Sequence, residues 1–184
     1  MSSRDMKRQR PRQFEHFLDR AKTAAERSTC LRRKIGVVVI KDGVEVSSGY
    51  VGAPRGMDHC IETGKCLRSE LRIPPGERYE LCRSVHAEQN AIINAARTGV
   101  SVTGGEMYIS SERITEAYDK RIPTSKIYGP CMICKKEIIN AGIKAVHMGE
   151  DGLGVKSYTV DELKQMLVQE EQELKSKFRP SEIK

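Results

Sequence analysis

Three residues in the stretch "CRSVHAE" (82–88), Cys82, His86 and Glu88, carry side chains that bind transition metals or move protons. Downstream, "GPCMIC" (129–134) adds Cys131 and Cys134. Upstream, "MDHCIETGKC" (57–66) adds His59, Cys60 and Cys66, and Cys30 stands apart. His86, Cys131 and Cys134 give zinc three ligands and leave one position for water, the arrangement of a catalytic rather than a closed structural site. Cysteines three apart on the first turn of a helix share a face, and the partial positive charge at that end favours their thiolates. Glu88, two residues past His86, is at the right reach to take a proton from an activated water without being a ligand.

The elements that must position these groups follow from apolar spacing. From His86, residues Ala87, Ala91, Ile92, Ala95 and Ala96 predict a small-residue helix that can lie close against a sheet. A second helix is expected from Cys131 to about Asn140, stopped at Gly142 and followed by the strand "IKAVHM". "GEMYIS" reads as the strand between the two helices. "FEHFLDRAKTAA" places Phe14, Phe17, Leu18, Ala21 and Ala25 on one helical face. "IGVVVIKDGVEVSSGY" reads as a hairpin turning at Asp42-Gly43, with Ile35 to Ile40 buried on both faces. Thr159 and Glu162 have capping-box spacing ahead of a stripe of Val160, Leu163, Leu167 and Leu174.

Residues 51–80 contain too many Gly and Pro residues for a long element. So long a loop in a compact domain needs a reason, and Cys60, Cys66 and Cys82 in or beside it offer one, because a metal clip fixes what packing does not. Residues 112–129 read as an inserted loop or lid. The element order α-β-β-α-β-α-β-α implies an α/β fold with a mixed central sheet and helices on its faces.

With 184 residues the chain is large enough for one domain without disulfide staples. No stretch reaches the roughly 20 apolar residues of a membrane span, and the basic start "MSSRDMKRQRPRQ" has no apolar signal segment. A cytoplasmic setting is the expectation, where six cysteines are ligands, nucleophiles or packed thiols rather than disulfides. The net charge of +7 suits an anionic partner, a nucleotide or a nucleic acid. With 5 % aromatics and no Trp, however, a stacking platform for single strands is poorly supplied, and a nucleic-acid partner is disfavoured.

A lone histidine at a helix start ordinarily caps or packs. The conjunction of "HAE", "PCMIC" and a strand between them matches the His-x-Glu…Pro-Cys-x-x-Cys signature of zinc nucleobase deaminases. In that chemistry zinc brings the pKa of water from about 16 toward about 7. The hydroxide attacks C4 of cytosine or C6 of adenine, Glu88 relays protons to the ring nitrogen and the departing amine, and ammonia leaves.

Through "RRKIGVVVIKDG", "SGYVGAPRGMDHC", "HAEQNAI" and "GPCMICKKEIINAGIK" the sequence resembles the deoxycytidylate deaminase family, within the wider cytidine deaminase-like superfamily. The resemblance runs from about Phe14 to His147. It implies a three-layer α/β/α cytidine deaminase-like fold, conversion of dCMP to dUMP, and a homo-oligomer, often a hexamer. It also implies switching by dCTP and dTTP, with Mg2+ accompanying a nucleotide effector. The Ala87 backbone amide would hold the base carbonyl. The family usually reads Gly-Tyr-Asn-Gly where this chain has Gly49-Tyr50-Val51-Gly52, and that Asn contacts the sugar, which leaves open whether ribose or deoxyribose is preferred. Met148 stands about where an aromatic is common, and residues 112–129 are longer than usual.

Relatives with a second, structural zinc place cysteines at positions matching Cys30 and Cys60. Cys66 and Cys82 are candidates to complete a closed all-cysteine site, with His59 as the rival fourth ligand and metal-free thiols as the alternative. Arg55 is a candidate phosphate contact, because a guanidinium grips phosphate by two bonds. The expected organisation is a basic arm (1–13), one zinc deaminase domain (14–178) and a short tail (179–184). Competing expectations are deamination of another nucleotide, of tRNA or of single-stranded DNA, and a non-catalytic zinc-stabilised module.

Overall fold

The structure is a computed structural model that describes residues 10–74, 77–114, 129–150 and 153–177. The basic start of the arm, the C-terminal tail and most of the expected lid (115–128) lie outside the described residues. Helix α1 (Gln13–Ala25) precedes the hairpin β1 (Arg33–Lys41) and β2 (Val44–Tyr50). The Gly/Pro-rich excursion holds only the short helices α2 (Cys60–Thr63) and α3 (Leu67–Glu70) and a 3-10 turn at Tyr79–Leu81. Then come α4 (Ala87–Thr98), β3 (Glu106–Arg113), α5 (Met132–Asn140), β4 (Ala145–Glu150), β5 (Gly154–Thr159) and α6 (Val160–Lys177).

Among the described residues the strands form one sheet in the order β2-β1-β3-β4-β5, with β3 and β4 parallel and the other pairs antiparallel. The β1–β2 turn follows from its sequence. Asp42 and Gly43 both take positive φ, 51° and 77°, and Lys41 pairs with Val44 across them.

The twofold alternation of strand side chains sorts the core into two clusters. Val37, Val39, Met107, Ile109, Val146 and Tyr158 pack with Ala87, Ala91 and Ala95 of α4, Ile138 of α5 and Leu163 of α6. Val38, Ile40 and Tyr108 point the other way and pack with Phe17 and Ala21 of α1. The result is three layers, with α1 alone on one face among the described residues. No helix among the described residues is long and apolar enough to cross a membrane.

Strand β5 is absent from the order read in the sequence. In "GVKSYT" only Tyr158 is buried, because β5 is the sheet's edge and its other residues face solvent, so no apolar alternation marks it. The capping box at the start of α6 is present: Thr159 N–H donates to the Glu162 carboxylate at 2.6 Å, and Glu162 N–H donates to Thr159 Oγ1 at 3.3 Å. The apolar stripe of α6 is less buried than its spacing suggests, with Leu163 enclosed and Leu174 exposed.

Two glycines set how closely helices approach the sheet. A Cβ at Gly36 would lie 2.2 Å from Ala25 N and 2.3 Å from Ala21 O, inside the backbone of α1. At Gly49 it would lie 2.4 Å from Ala91 N and 2.5 Å from Ala87 O, inside the backbone of α4. The alanines of α4 serve the same close contact from the helix side. Gly49→Ala is therefore expected to push α4 off β2 and cost about 1–3 kcal/mol, read by chemical denaturation. Stability within about 0.5 kcal/mol of wild type would show that the helix does not need this approach.

Candidate active site

His86 and Cys131 are the N-cap residues of α4 and α5, both in extended backbone conformation, so two helix N-termini converge on one point. His86 Nδ1 lies 3.5 Å from Cys131 Sγ and 3.3 Å from Cys134 Sγ. The three donor atoms fall within 4.8 Å of one another, and this is the one such group among the described residues. A tetrahedral ion with ordinary Zn–S and Zn–N bonds spaces a sulfur and a nitrogen by about 3.6 Å. The triangle fits zinc in both donor type and size.

The electrostatics of the triangle follow from this geometry. The Cys131 thiol is drawn well below its ordinary pKa, mainly by a hydrogen bond from the Cys134 thiol, with burial opposing and His86 assisting. Cys134 moves upward because it keeps the shared proton. Burial would lower the His86 pKa, but its hydrogen bond to Cys131 and the charge of Glu88 together carry it above the ordinary value. The Cys134 N–H also donates to Cys131 Sγ at 3.5 Å.

Glu88 is 7 % exposed, on the first turn of α4 and in reach of the Cys134 thiol. Burial raises its carboxyl pKa against the pull of His86. A buried carboxyl shifted in this direction holds and releases protons closer to neutral pH than an exposed one. Ala87, fully buried, is the first residue of α4, and its N–H has no partner within the helix.

Other groups hold the site together without having stood out as site residues in the sequence. Gln89 accepts the His86 N–H at 3.0 Å and donates to Glu137 of α5 at 2.9 Å, bridging the two helices that carry the donors. Its place three residues after the N-cap was the available signal. Lys135, 1 % exposed beside Cys134, pairs with Glu170 and ties α6 to α5. Tyr79 stands edge-to-face against the His86 ring, with centroids 5.2 Å apart.

The remaining expected residues are placed differently. Val51 is 5 % exposed, and its backbone is used by Thr29 and Ile35. Arg55 donates to Asn94 of α4 at 3.0 Å, eight residues or about 12 Å of helix rise from His86. Cys30, Cys60, Cys66 and Cys82 are all free thiols in one region, close enough that Cys60 senses Cys30 and Cys66, and Cys82 senses Cys30 and Cys60. Among the described residues they do not close into a group as tight as the first triangle. His59 offers Nδ1 to Thr29 Oγ1 (3.0 Å) and to the Ala53 N–H (3.3 Å).

Fold and donor set together define a zinc-binding α/β protein with a buried carboxyl beside its metal. The family described as the cytidine and deoxycytidylate deaminase zinc-binding region matches residues 11–150, and the chain belongs to it. The deoxycytidylate deaminase of Mycobacterium phage D29 is 33 % identical over 141 residues, covering 74 % of this chain and 94 % of that protein. ComE operon protein 2 of Bacillus subtilis is 31 % identical over 137 residues, 74 % of this chain and 59 % of the relative. The chain spans between 37 % and 59 % of the length of three cellular relatives. Among solved structures, the apo dCMP deaminase of cyanophage S-TIM5 is 26 % identical with a TM-score of 0.55, covering 86 % of this chain and 94 % of that one.

Replacing Cys131 by Ala leaves two of the three donors. The variant is expected to lose zinc to a chelator that wild type resists, as read by metal analysis after dialysis. Equal retention would place the metal elsewhere.

Proposed function

We propose that the chain catalyses zinc-dependent hydrolytic deamination of dCMP to dUMP with release of ammonia, in pyrimidine nucleotide metabolism. The observation that carries the reading is the buried Glu88 carboxyl, with its raised pKa, directly beside the His86–Cys131–Cys134 triangle. A purely structural zinc needs no such carboxyl, and burying one without a task is costly. The choice of dCMP is supported by relatives named deoxycytidylate deaminase, among them one matched over 94 % of its length.

Zinc held by His86, Cys131 and Cys134 supplies the Lewis acidity that makes water nucleophilic at neutral pH. Glu88 then takes the proton of the attacking water and delivers it to the ring nitrogen next to the carbon attacked. A second transfer through the same carboxyl protonates the departing amine. The Ala87 N–H, at the start of α4 where no intrahelical acceptor is available, would donate to the base carbonyl and fix the ring against Glu88. Val51 offers no side-chain hydrogen bond to a sugar, so sugar discrimination falls to other groups. Arg55 would serve a phosphate only after leaving Asn94.

The reading extends to a single zinc deaminase domain over residues 14–178 and to a second, structural zinc held by Cys30, Cys60, Cys66 and Cys82, with His59 as rival ligand. Two observations support the second metal. The Arg32 N–H donates to Cys30 Sγ at 3.4 Å and the Ser84 backbone to Cys82, each two residues on. Donors so placed stabilise thiolates without occupying the side on which a metal would sit. A cytoplasmic, homo-oligomeric enzyme answering to dCTP and dTTP, with Mg2+ on the effector, completes the proposal.

The test is zinc content per chain together with ammonia release from dCMP, CMP and deoxycytidine, each with and without dCTP. Two zincs and dCMP-selective release are expected. No release from any of the three would turn the reading to a polynucleotide substrate or a non-catalytic module. Glu88→Gln should keep its zinc and lose about 10²–10⁴-fold in turnover, and Cys30→Ser should lower metal count and stability before chemistry. Turnover preserved in Glu88→Gln would remove that residue from proton transfer.

A further inference from the structure

The excursion between Cys66 and Cys82 carries two side chains that the proposed chemistry does not use. Arg68 is 6 % exposed, an unusual place for a cation with no carboxylate partner among the described residues. Its Nη2 donates to the carbonyl oxygens of Pro74 (3.0 Å) and Glu77 (2.7 Å), closing the excursion on itself. Its guanidinium carbon lies 4.5 Å from the centroid of the Tyr79 ring. The same ring also meets His86, at 5.2 Å and 89° between planes. Arg68, Tyr79 and His86 therefore form a chain of contacts that ends on a proposed metal donor.

A ligating histidine is ordinarily oriented by a hydrogen bond from its other ring nitrogen to a carboxylate or carbonyl. His86 Nδ1 faces the two sulfurs, at 3.5 Å from Cys131 and 3.3 Å from Cys134. The Tyr79 ring restrains the imidazole by an aromatic contact. An edge-to-face pair at this separation favours one relative orientation of the two rings, and the cation over Tyr79 adds to its rigidity.

We propose that Arg68 and Tyr79 are positioning residues: the segments 66–74 and 77–82 that carry them act as a strap that holds the His86 imidazole in its metal-binding orientation through the Tyr79 ring. The strap gives the long Gly/Pro-rich loop a task at the catalytic centre, independent of whether its cysteines bind a second metal. The inference rests on zinc at His86, Cys131 and Cys134 and not on which nucleotide is deaminated.

The experiment uses the full chain with Co2+ in place of Zn2+, whose visible bands report ligand geometry, and the rate of Zn2+ release to a chelator. Tyr79→Leu is expected to shift the Co2+ bands and to speed Zn2+ release about tenfold. Tyr79→Phe, which keeps the ring face, should retain wild-type bands and release. Arg68→Met should change both readouts in the direction of Tyr79→Leu, and Arg68→Lys should restore part of the loss. Leu71→Ala, an exposed residue on the same excursion, should change neither. Wild-type bands and release in both Tyr79→Leu and Arg68→Met, with thermal melting showing folded protein, would overturn the proposal. So would an equal effect of Leu71→Ala, which would mean that any loosening of the loop suffices. If Tyr79→Leu does not fold, the Arg68→Met and Arg68→Lys pair decides. Absence of deamination in every variant and in wild type would remove the proposed reaction while leaving these metal readouts to judge the strap.

Discussion

Two helix N-termini meeting at three donor atoms is the constraint on which the rest of this structure depends. His86 and Cys131 each sit where a helix begins, and neither helix alone presents more than two of the donors. To close the triangle to within 4.8 Å, α4 and α5 must lie side by side on the same face of the sheet with their starts level. That requires α4 to lie nearly on the backbone of β2, which the missing Cβ of Gly49 and the alanines of α4 permit. Gln89 and Glu137 then lock the helices to one another at the site.

The same convergence sets the electrostatics. Helix N-termini favour anionic sulfur, and burial works against it; the hydrogen bond between the two thiols draws Cys131 down and pushes Cys134 up. A divalent ion held by His86, Cys131 and Cys134 would displace the proton the two thiols share and balance the charge of both thiolates. Glu88 is buried in the same small volume and is pushed toward its neutral form. Stability and the proposed chemistry pull in opposite directions here, because a carboxyl buried for proton transfer would be one that solvent no longer supports.

The face of the sheet that α1 covers has a different character. Phe17, Ala21, Val38 and Tyr108 bury apolar surface there, and Tyr108 and His147 gather around Glu106 at its edge. The α1 contact is made as tight by Gly36 as the α4 contact is by Gly49, so the sheet is clamped from both sides by backbone-to-backbone approach. This rigidity allows long irregular segments between β2 and α4 without loss of the site.

By itself the sequence determined the donors, the helix starts that carry them, the buried double-faced strand β1 and the Asp42-Gly43 turn. Each of these is local: ligand type and spacing, capping position, periodicity and turn chemistry are written within about ten residues. Strand β5 was not legible, since an edge strand with one buried side chain has no periodic signature. Nor were Tyr79, Arg68 and the Lys135–Glu170 pair, whose meaning depends on partners brought from elsewhere in the chain. The tertiary structure alone decided that Arg55 rests on Asn94 and that Val51 is enclosed in the core. It also decided that, among the described residues, the four upstream cysteines stay looser than His86, Cys131 and Cys134. The physical reason is the same in every case: a side chain's type is encoded locally, but its burial and its neighbours are set by how sheets and helices pack.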